Sequence, residues 1–254
     1  MVKKSFFFQG QTVFILNNSF KEDFFKVEDF SGEKFIIPPF GNISPIRIVD
    51  APVDTFPPWQ KFLIGVRAAI LLVQEEEAKA ISRAFHIVQW RRESVFCGRC
   101  GHKNIDAKQE VARVCPNCGR VEFPRICPVV IVLITDSKDR ILLAHNRKFK
   151  SEVFSLIAGF NEAGETLEET VKREVMEETS VHVKDIHYVT SQVWPFPNSL
   201  MTGWTASYAG GTIQPDGVEI EEARWFDRDH LPKLPVEGSI ARKLIDRWRN
   251  GVCL

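Results

Sequence analysis

The 254-residue sequence predicts an α+β protein built from three modules: a small mixed α/β N-terminal domain (1–96), a metal-holding ribbon (97–122) and a larger mixed domain (123–254). Three observations carry this. Short apolar runs punctuated by Gly, Pro and Asn fill the first module, two CxxC pairs define the second, and in the third, strand-like runs flank two stretches with helical periodicity.

Composition sets the outer bounds. A hydrophobic fraction of 44% suffices for packed cores, and a formal net charge of zero gives no global attraction to nucleic acid or membrane. An anionic substrate must therefore be met by a local site. The apolar run 62–73 is short and contains Arg67, and the apolar start is broken by Gln9, Gly10 and Gln11. Neither a membrane-spanning helix nor a signal peptide is expected, and the default location is cytoplasmic.

In the N-terminal module, residues 6–8, 13–16, 35–37 and 46–49 read as short strands of a mixed sheet. A helix is expected over 75–92, with Ala78, Ile81, Phe85 and Val88 on one face. Its acidic start at Glu75, Glu76 and Glu77 and basic end at Arg91 and Arg92 suit the helix dipole. The phenylalanines of this region are read as core or interface residues. Arg67 lies inside an apolar stretch, where an unpaired charge is costly, so it is expected to neutralise a carboxylate or a bound phosphate.

Cys97 and Cys100 form one CxxCG turn and Cys115 and Cys118 the other, while Cys127 and Cys253 stand alone. Two such turns at hairpin separation supply four thiolates to a tetrahedral ion, and the glycines let the backbone turn its amides toward the sulfurs. The reading is a structural zinc ribbon, since a closed four-thiolate site leaves no position for water; a redox dithiol is the alternative.

The third module opens with an apolar strand over 129–135, a polar turn and a returning strand over 141–144. Residues 154–158 lead into a glycine-bearing loop, strands are expected over 181–189, 204–208 and 223–226, and a final helix over 239–249 aligns Ile240, Leu244, Ile245 and Trp248. Between them lies the stretch 159–181, GFNEAGETLEETVKREVMEETSV. A helix over 166–179 places Leu167, Val171 and Val175 toward a core and Glu174, Glu177 and Glu178 on one side, close enough to share a hard cation. Taken alone, such a row is equally a solvated acidic face helped by Lys172 and Arg173.

The full pattern decides between them. Gly159, Glu165, Arg173, Glu174, Glu177 and Glu178 at these offsets resemble the Nudix box, the signature of hydrolases that cleave a nucleoside diphosphate linked to another moiety. The resemblance implies an α/β/α sandwich. One position departs, because Ser180 stands where the family has glycine; in a left-handed conformation serine costs about 1 kcal/mol relative to glycine.

Shortly after the box comes SQVWPFPNS, whose prolines brace Trp194 and Phe196 in what reads as a stiff loop over 191–201. Alone it reads as a proline-pinned surface turn. With the ribbon before it, it is similar to the hallmark of NADH pyrophosphatases of the NudC type, save that Val193 replaces a proline. The resemblance implies that Glu174, Glu178, Glu219 and the Ala158 carbonyl hold Mg2+ or Mn2+, that Glu177 completes the acidic cluster, and that Arg173 orients it by pairing with Glu165. It further implies that Phe123 and Phe160 sandwich the nicotinamide and that Gln192, Val193, Trp194, Pro195, Phe196, Pro197, Asn198 and Ser199 line the dinucleotide pocket. Ala241 would add a backbone contact, and members work as homodimers, which gives Glu110 and the N-terminal module an interface role. The substrates implied are NAD(H), cleaved to nicotinamide mononucleotide and AMP, and the NAD-capped 5′ end of RNA. Two alternatives stand beside this: hydrolysis of another dinucleotide such as ADP-ribose, and a catalytically silent binding module, against which the intact glutamates argue.

Overall fold

The computed structural model describes residues 4–16, 33–39, 43–51, 64–149 and 152–252. Cys253 and the first two residues of the apolar run 62–73 lie outside them. The chain divides into two compact units, Met1–Arg125 and Ile126–Leu254.

The first unit contains β1 (Lys4–Gln9), β2 (Thr12–Leu16), β3 (Glu33–Ile37), β4 (Ile46–Ala51), β5 (Ile64–Gly65), α1 (Val66–Leu72) and α2 (Glu75–Glu93). The strands form a mixed sheet in the order β3-β4-β1-β2-β5, with β1 parallel to β4 and the other pairs antiparallel. Its core is aromatic as expected: Phe6, Phe7, Phe8 and Phe85 are buried, and the Phe8 and Phe85 rings lie 5.8 Å apart.

Helix α2 is buried on most sides between Ala80 and Arg91, so its basic end does more than complement the dipole. Arg91 pairs with Glu33 and Asp106 and lies 4.1 Å from the Phe35 ring centroid, while Arg92 pairs with Asp50. Arg67 is exposed on α1, which buries Val66, Ala69 and Ile70 instead.

The ribbon belongs to the same unit. Its strands β6 (Ile105–Asp106), β7 (Arg113–Val114) and β8 (Val121–Glu122) form an antiparallel sheet, and Asn104 and Arg113 both donate to the Ser94 carbonyl at the end of α2.

The second unit contains β9 (Cys127–Thr135), β10 (Ile141–Asn146), β11 (Ile157–Phe160), α3 (Leu167–Thr179), β12 (Val181–Trp194), β13 (Ser199–Gly211), β14 (Ile220–Phe226) and α4 (Ile240–Arg249). The sheet order is β12-β13-β9-β10-β14, with β9 parallel to β13 and β11 paired to β9. Alternation along β9 builds a core on each face. Val130, Val132 and Ile134 pack with Val171 and Val175 of α3, while Ile131 and Leu133 pack with Ile240, Leu244, Ile245 and Trp248 of α4. The result is the α/β/α sandwich.

The stretch 191–201 departs from expectation. It is mostly strand: β12 runs on to Trp194 and β13 begins at Ser199, with Val193 opposite Leu200 and Trp194 opposite Ser199. Only residues 195–198 form a turn, with a cis Phe196–Pro197 bond and Asn198 at φ 59°. A proline-rich sequence reads as loop, but the ladder needs no amide from Pro195 or Pro197 because both sit in the turn.

Candidate active site

Helix α3 starts where its sequence dictates. The Thr166 hydroxyl accepts from the Glu169 amide, and the Glu169 carboxylate accepts from the Thr166 amide at 2.7 Å, a closed capping box. The helix ends at Ser180, whose φ of 59° and ψ of 25° are left-handed. Serine thus occupies the conformation that glycine adopts without strain.

The preceding loop is folded around Glu165. Its carboxylate accepts from the Glu162 amide, the Thr170 hydroxyl and two nitrogens of Arg173, at 2.5 and 2.9 Å. Arg173 first, assisted by these other donors, holds the Glu165 carboxyl down at about 2. Arg173 spends its remaining donors on Glu174 at 2.8 Å, Glu177 at 3.0 Å and the Phe160 carbonyl at 2.9 Å. The expected Arg173–Glu165 pair is present and ties α3 to the loop before it, while the bond to the Phe160 carbonyl ties α3 to β11.

The three glutamates of the helix face differ in environment. Glu177 is 59% exposed, so it belongs to the rim of the cluster, whereas the Glu174 side chain is only 13% exposed. The Glu174 carboxylate lies directly over Gly159 of β11: a Cβ there would fall 1.9 Å from its Cδ and 2.1 Å from each oxygen. The glycine of the motif is thus a cradle for this carboxylate. Burial raises the Glu174 carboxyl above its usual range, against the pull of Arg173.

Glu178 is buried, and no donor hydrogen-bonds its carboxylate among the described residues. Burial first, then the charges of Glu174, Glu219 and Asp216, push it up to about 8. A carboxyl so placed holds its proton at neutral pH until a cation offsets its neighbours. Glu219 reaches this group from the turn before β14, where the Asp216 carboxylate accepts from the amides of Val218, Glu219 and Ile220. Burial works against Asp216, but those amides outweigh it and lower its carboxyl. Lys148 pairs with Glu219 at 3.2 Å.

Sequence reading missed Asp216 and Lys148. Asp216-Gly217 is a turn signal that would have found the first; the second is set by pairing between β10 and β14, which no local pattern reveals.

The other expected residues are distributed as follows. Trp194 and Phe196 meet edge to face at 5.4 Å, Pro195, Asn198 and Ser199 are buried, and Val193 is 43% exposed. Gln192 is committed to the fold, because its amide donates to the Gly238 carbonyl and accepts from the Ile240 amide, both at 2.8 Å, at the start of α4. Ala241 packs its side chain in the core beneath α4. Phe160 is exposed on β11. Arg67, Glu110 and Phe123 belong to the first unit, all three exposed.

In the ribbon, Cys97 and Cys118 sulfurs lie 3.6 Å apart and those of Cys100 and Cys115 3.4 Å apart, all four within 4.8 Å of one another. Gly101 and Gly119 have φ of 74° and 72°, as the CxxCG turns require. The His102 amide, then the Cys115 thiol, bring Cys100 down to about 5. Cys118 rises to about 11: the Arg120 amide pulls it down, but burial and three neighbouring sulfurs outweigh it. Four thiols this close ionise together only around a cation, and the donor set is that of structural zinc.

The NUDIX domain pattern matches residues 125–248, and the NADH pyrophosphatase zinc ribbon domain pattern matches residues 92–123. Residues 125–248 are thus a Nudix domain, preceded by a zinc ribbon of the NADH pyrophosphatase kind. Curated relatives include "NAD-capped RNA hydrolase NudC" of Pectobacterium carotovorum, 45% identical over 164 residues, covering 65% of this chain and 63% of that protein. The protein of the same name from Pseudomonas putida is 48% identical over 186 residues, covering 72% of this chain and 66% of that one. The chain thus matches 63–66% of the length of these relatives. A solved Nudix hydrolase from Nitrosomonas europaea superposes with a TM-score of 0.53 at 22% identity, over 61% of this chain and 90% of that one, and shares the fold.

The Nudix residues present fit a divalent ion. Carboxylate oxygens are the donors Mg2+ or Mn2+ takes, and the charges of Glu174 and Glu219 both act on the buried Glu178, although among the described residues only the four cysteines form a group within 4.8 Å.

Proposed function

We propose that this Nudix protein is a metal-dependent pyrophosphate hydrolase that cleaves NAD(H) to nicotinamide mononucleotide and AMP and removes NAD caps from RNA 5′ ends. The observation that carries the reading is Glu178, a buried carboxylate without a donor, next to a Glu174 carboxylate seated on Gly159. A helix gains nothing from such a pair unless a cation joins it.

Glu174, Glu178, Glu219 and the Ala158 carbonyl would hold Mg2+ or Mn2+, which neutralises the pyrophosphate oxygens and lowers the pKa of the attacking water. Arg173 holds the cluster in place through Glu165 and the Phe160 carbonyl. Glu178, free of Arg173, takes the proton of the water, with exposed Glu177 as the alternative acceptor. The water oxygen bonds to phosphorus as the bridging P–O bond breaks, and each product leaves as a monophosphate. Phe160 offers an exposed ring for stacking the nicotinamide. The hairpin 192–199 lines the dinucleotide pocket through Trp194, Phe196 and the buried Asn198 and Ser199. Gln192 acts there by fixing α4, whose Ala241 amide finds no acceptor among the described residues and is available to the substrate.

The relatives named NAD-capped RNA hydrolase support the RNA arm, and zero net charge favours a grip on the cap and first nucleotides over a long RNA track. The three-module division at 96 and 122, a homodimer in which Glu110 and the N-terminal module serve the interface, Arg67 as the partner of a carboxylate or a bound phosphate, and a cytoplasmic location complete the proposal. Among the described residues no helix is long and apolar enough to cross a membrane. The test is Glu178→Gln: turnover of NADH should vanish while the thermal transition is retained, and retained turnover would misplace the metal site.

A further inference from the structure

The turn after β10 carries two cations that face two carboxylates of and before β14. Arg147 Nε bonds Glu221 at 3.0 Å and Lys148 Nζ pairs with Glu219 at 3.2 Å. This placement is built into the backbone. The β10–β14 ladder shifts register at Asn146 and continues through the Arg147 amide to the Glu219 carbonyl at 2.9 Å. Asn146 then closes the turn, its side chain accepting from the Lys148 amide and its carbonyl from the Phe149 amide, both at 2.9 Å. Asp216 fixes the other side by holding the Glu219 amide.

Lys148 therefore stands beside Glu219, whereas Arg173 bonds Glu174 and Glu177. The pair is open to solvent, with Lys148 at 74% and Glu219 at 49% exposure, so it can exchange partners at small cost. Glu219 cannot keep Lys148 close while lending its charge to a divalent ion, because the ion repels the ammonium. A pyrophosphate arriving at the same ion offers that ammonium a new anionic partner.

Resting on the hydrolase reading above, we propose that Lys148 is an exchangeable counter-ion: it pairs with Glu219 in the ion-free protein and passes to a substrate phosphate oxygen when Glu219 turns to the metal. Lys148 then competes with the metal in the absence of substrate and assists binding in its presence. Removing its charge has opposite effects on the two ligands, which loss of structure would not produce.

The experiment uses the zinc-loaded full chain, with Mn2+ uptake followed by the electron paramagnetic resonance of free Mn2+, in wild type, Lys148→Met, Lys148→Arg and Glu178→Gln. Lys148→Met should bind Mn2+ roughly 2–5-fold tighter at low salt, the range of an exposed ion pair, with the gain shrinking at about 1 M salt. At saturating Mn2+ the same variant should raise the KM for NADH several-fold with kcat little changed, and Lys148→Arg should restore both values. Unchanged or weaker Mn2+ binding in Lys148→Met, or an unchanged KM, overturns the exchange. Equal Mn2+ uptake by wild type and Glu178→Gln overturns the metal reading beneath it as well.

Discussion

Replacing Gly159 with alanine separates the site from the fold. A Cβ at this position falls 1.9 Å from Glu174 Cδ, and contacts under 3.0 Å do not persist. The backbone has little room to yield, since β11 is paired to β9 with Gly159 opposite Val130. The carboxylate must move, rotating away from β11 and giving up its 2.8 Å bond to Arg173. A charge-assisted bond of this kind contributes about 1.5–3 kcal/mol. The loss is offset because Glu174 escapes the burial that raises its carboxyl, and Arg173 keeps Glu165 and the Phe160 carbonyl. The net cost in stability should stay near ~1 kcal/mol, a shift of only a few degrees in Tm. Activity has no such compensation, and loss of an oriented ligand should lower kcat/KM by about 100-fold or more and weaken Mn2+ binding in parallel. Thermal unfolding, Mn2+ titration and NADH hydrolysis on one preparation measure all three. Adding Glu174→Ala to Gly159→Ala should cause little further loss, because both act through one carboxylate. Full turnover and Mn2+ affinity in Gly159→Ala would refute the placement of Glu174 in the reaction.

The metal-free protein should lose stability as pH rises from about 4.5 to 8, because the folded Glu178 carboxyl is raised to about 8 and holds its proton through a range in which the unfolded chain releases it. This contribution, of order 5 kcal/mol at most, is fully present below the unfolded pKa; pH-dependent unfolding of the metal-free chain should show it, and Glu178→Gln should flatten the slope. Ser180→Gly should raise stability by roughly 0.5–1 kcal/mol at unchanged kcat, since it relieves a left-handed serine; denaturant unfolding that shows a loss would contradict this. Stripping zinc, or Cys97→Ser, should destabilise the first unit and sharpen its proteolysis, whereas a zinc-free chain that unfolds like the loaded one would sink the structural assignment.

Helices α2, α3 and α4 and the metal ribbon were legible because each is encoded locally, whereas α1 was read only as part of an apolar run. Thr166 and Glu169 close a capping box within one turn, Ile240 to Trp248 repeat at helical spacing, and the CxxCG turns carry both ligands and glycines. The site was legible only as far as the Nudix pattern reached. That pattern identifies Gly159 and Glu174 without revealing that one seats the other, since the contact joins a strand to a helix. Lys148 and Asp216 depend on the register of β14 against β10 and on a turn between strands. The hairpin at 191–201 was misread because proline signals a break, while its strands are decided by partners across the sheet. Gln192, read as lining the dinucleotide pocket, also bonds the Gly238 carbonyl and the Ile240 amide at the start of α4, a use visible only once that helix is packed.

The central claim is tested most directly by offering NADH, NAD+, ADP-ribose and a short NAD-capped RNA together, with Mn2+ or Mg2+, and following every product by mass. Nicotinamide mononucleotide, in oxidised or reduced form, should appear together with AMP or 5′-monophosphate RNA, and none of these from Glu178→Gln. Consumption of ADP-ribose alone, or of nothing, would contradict it.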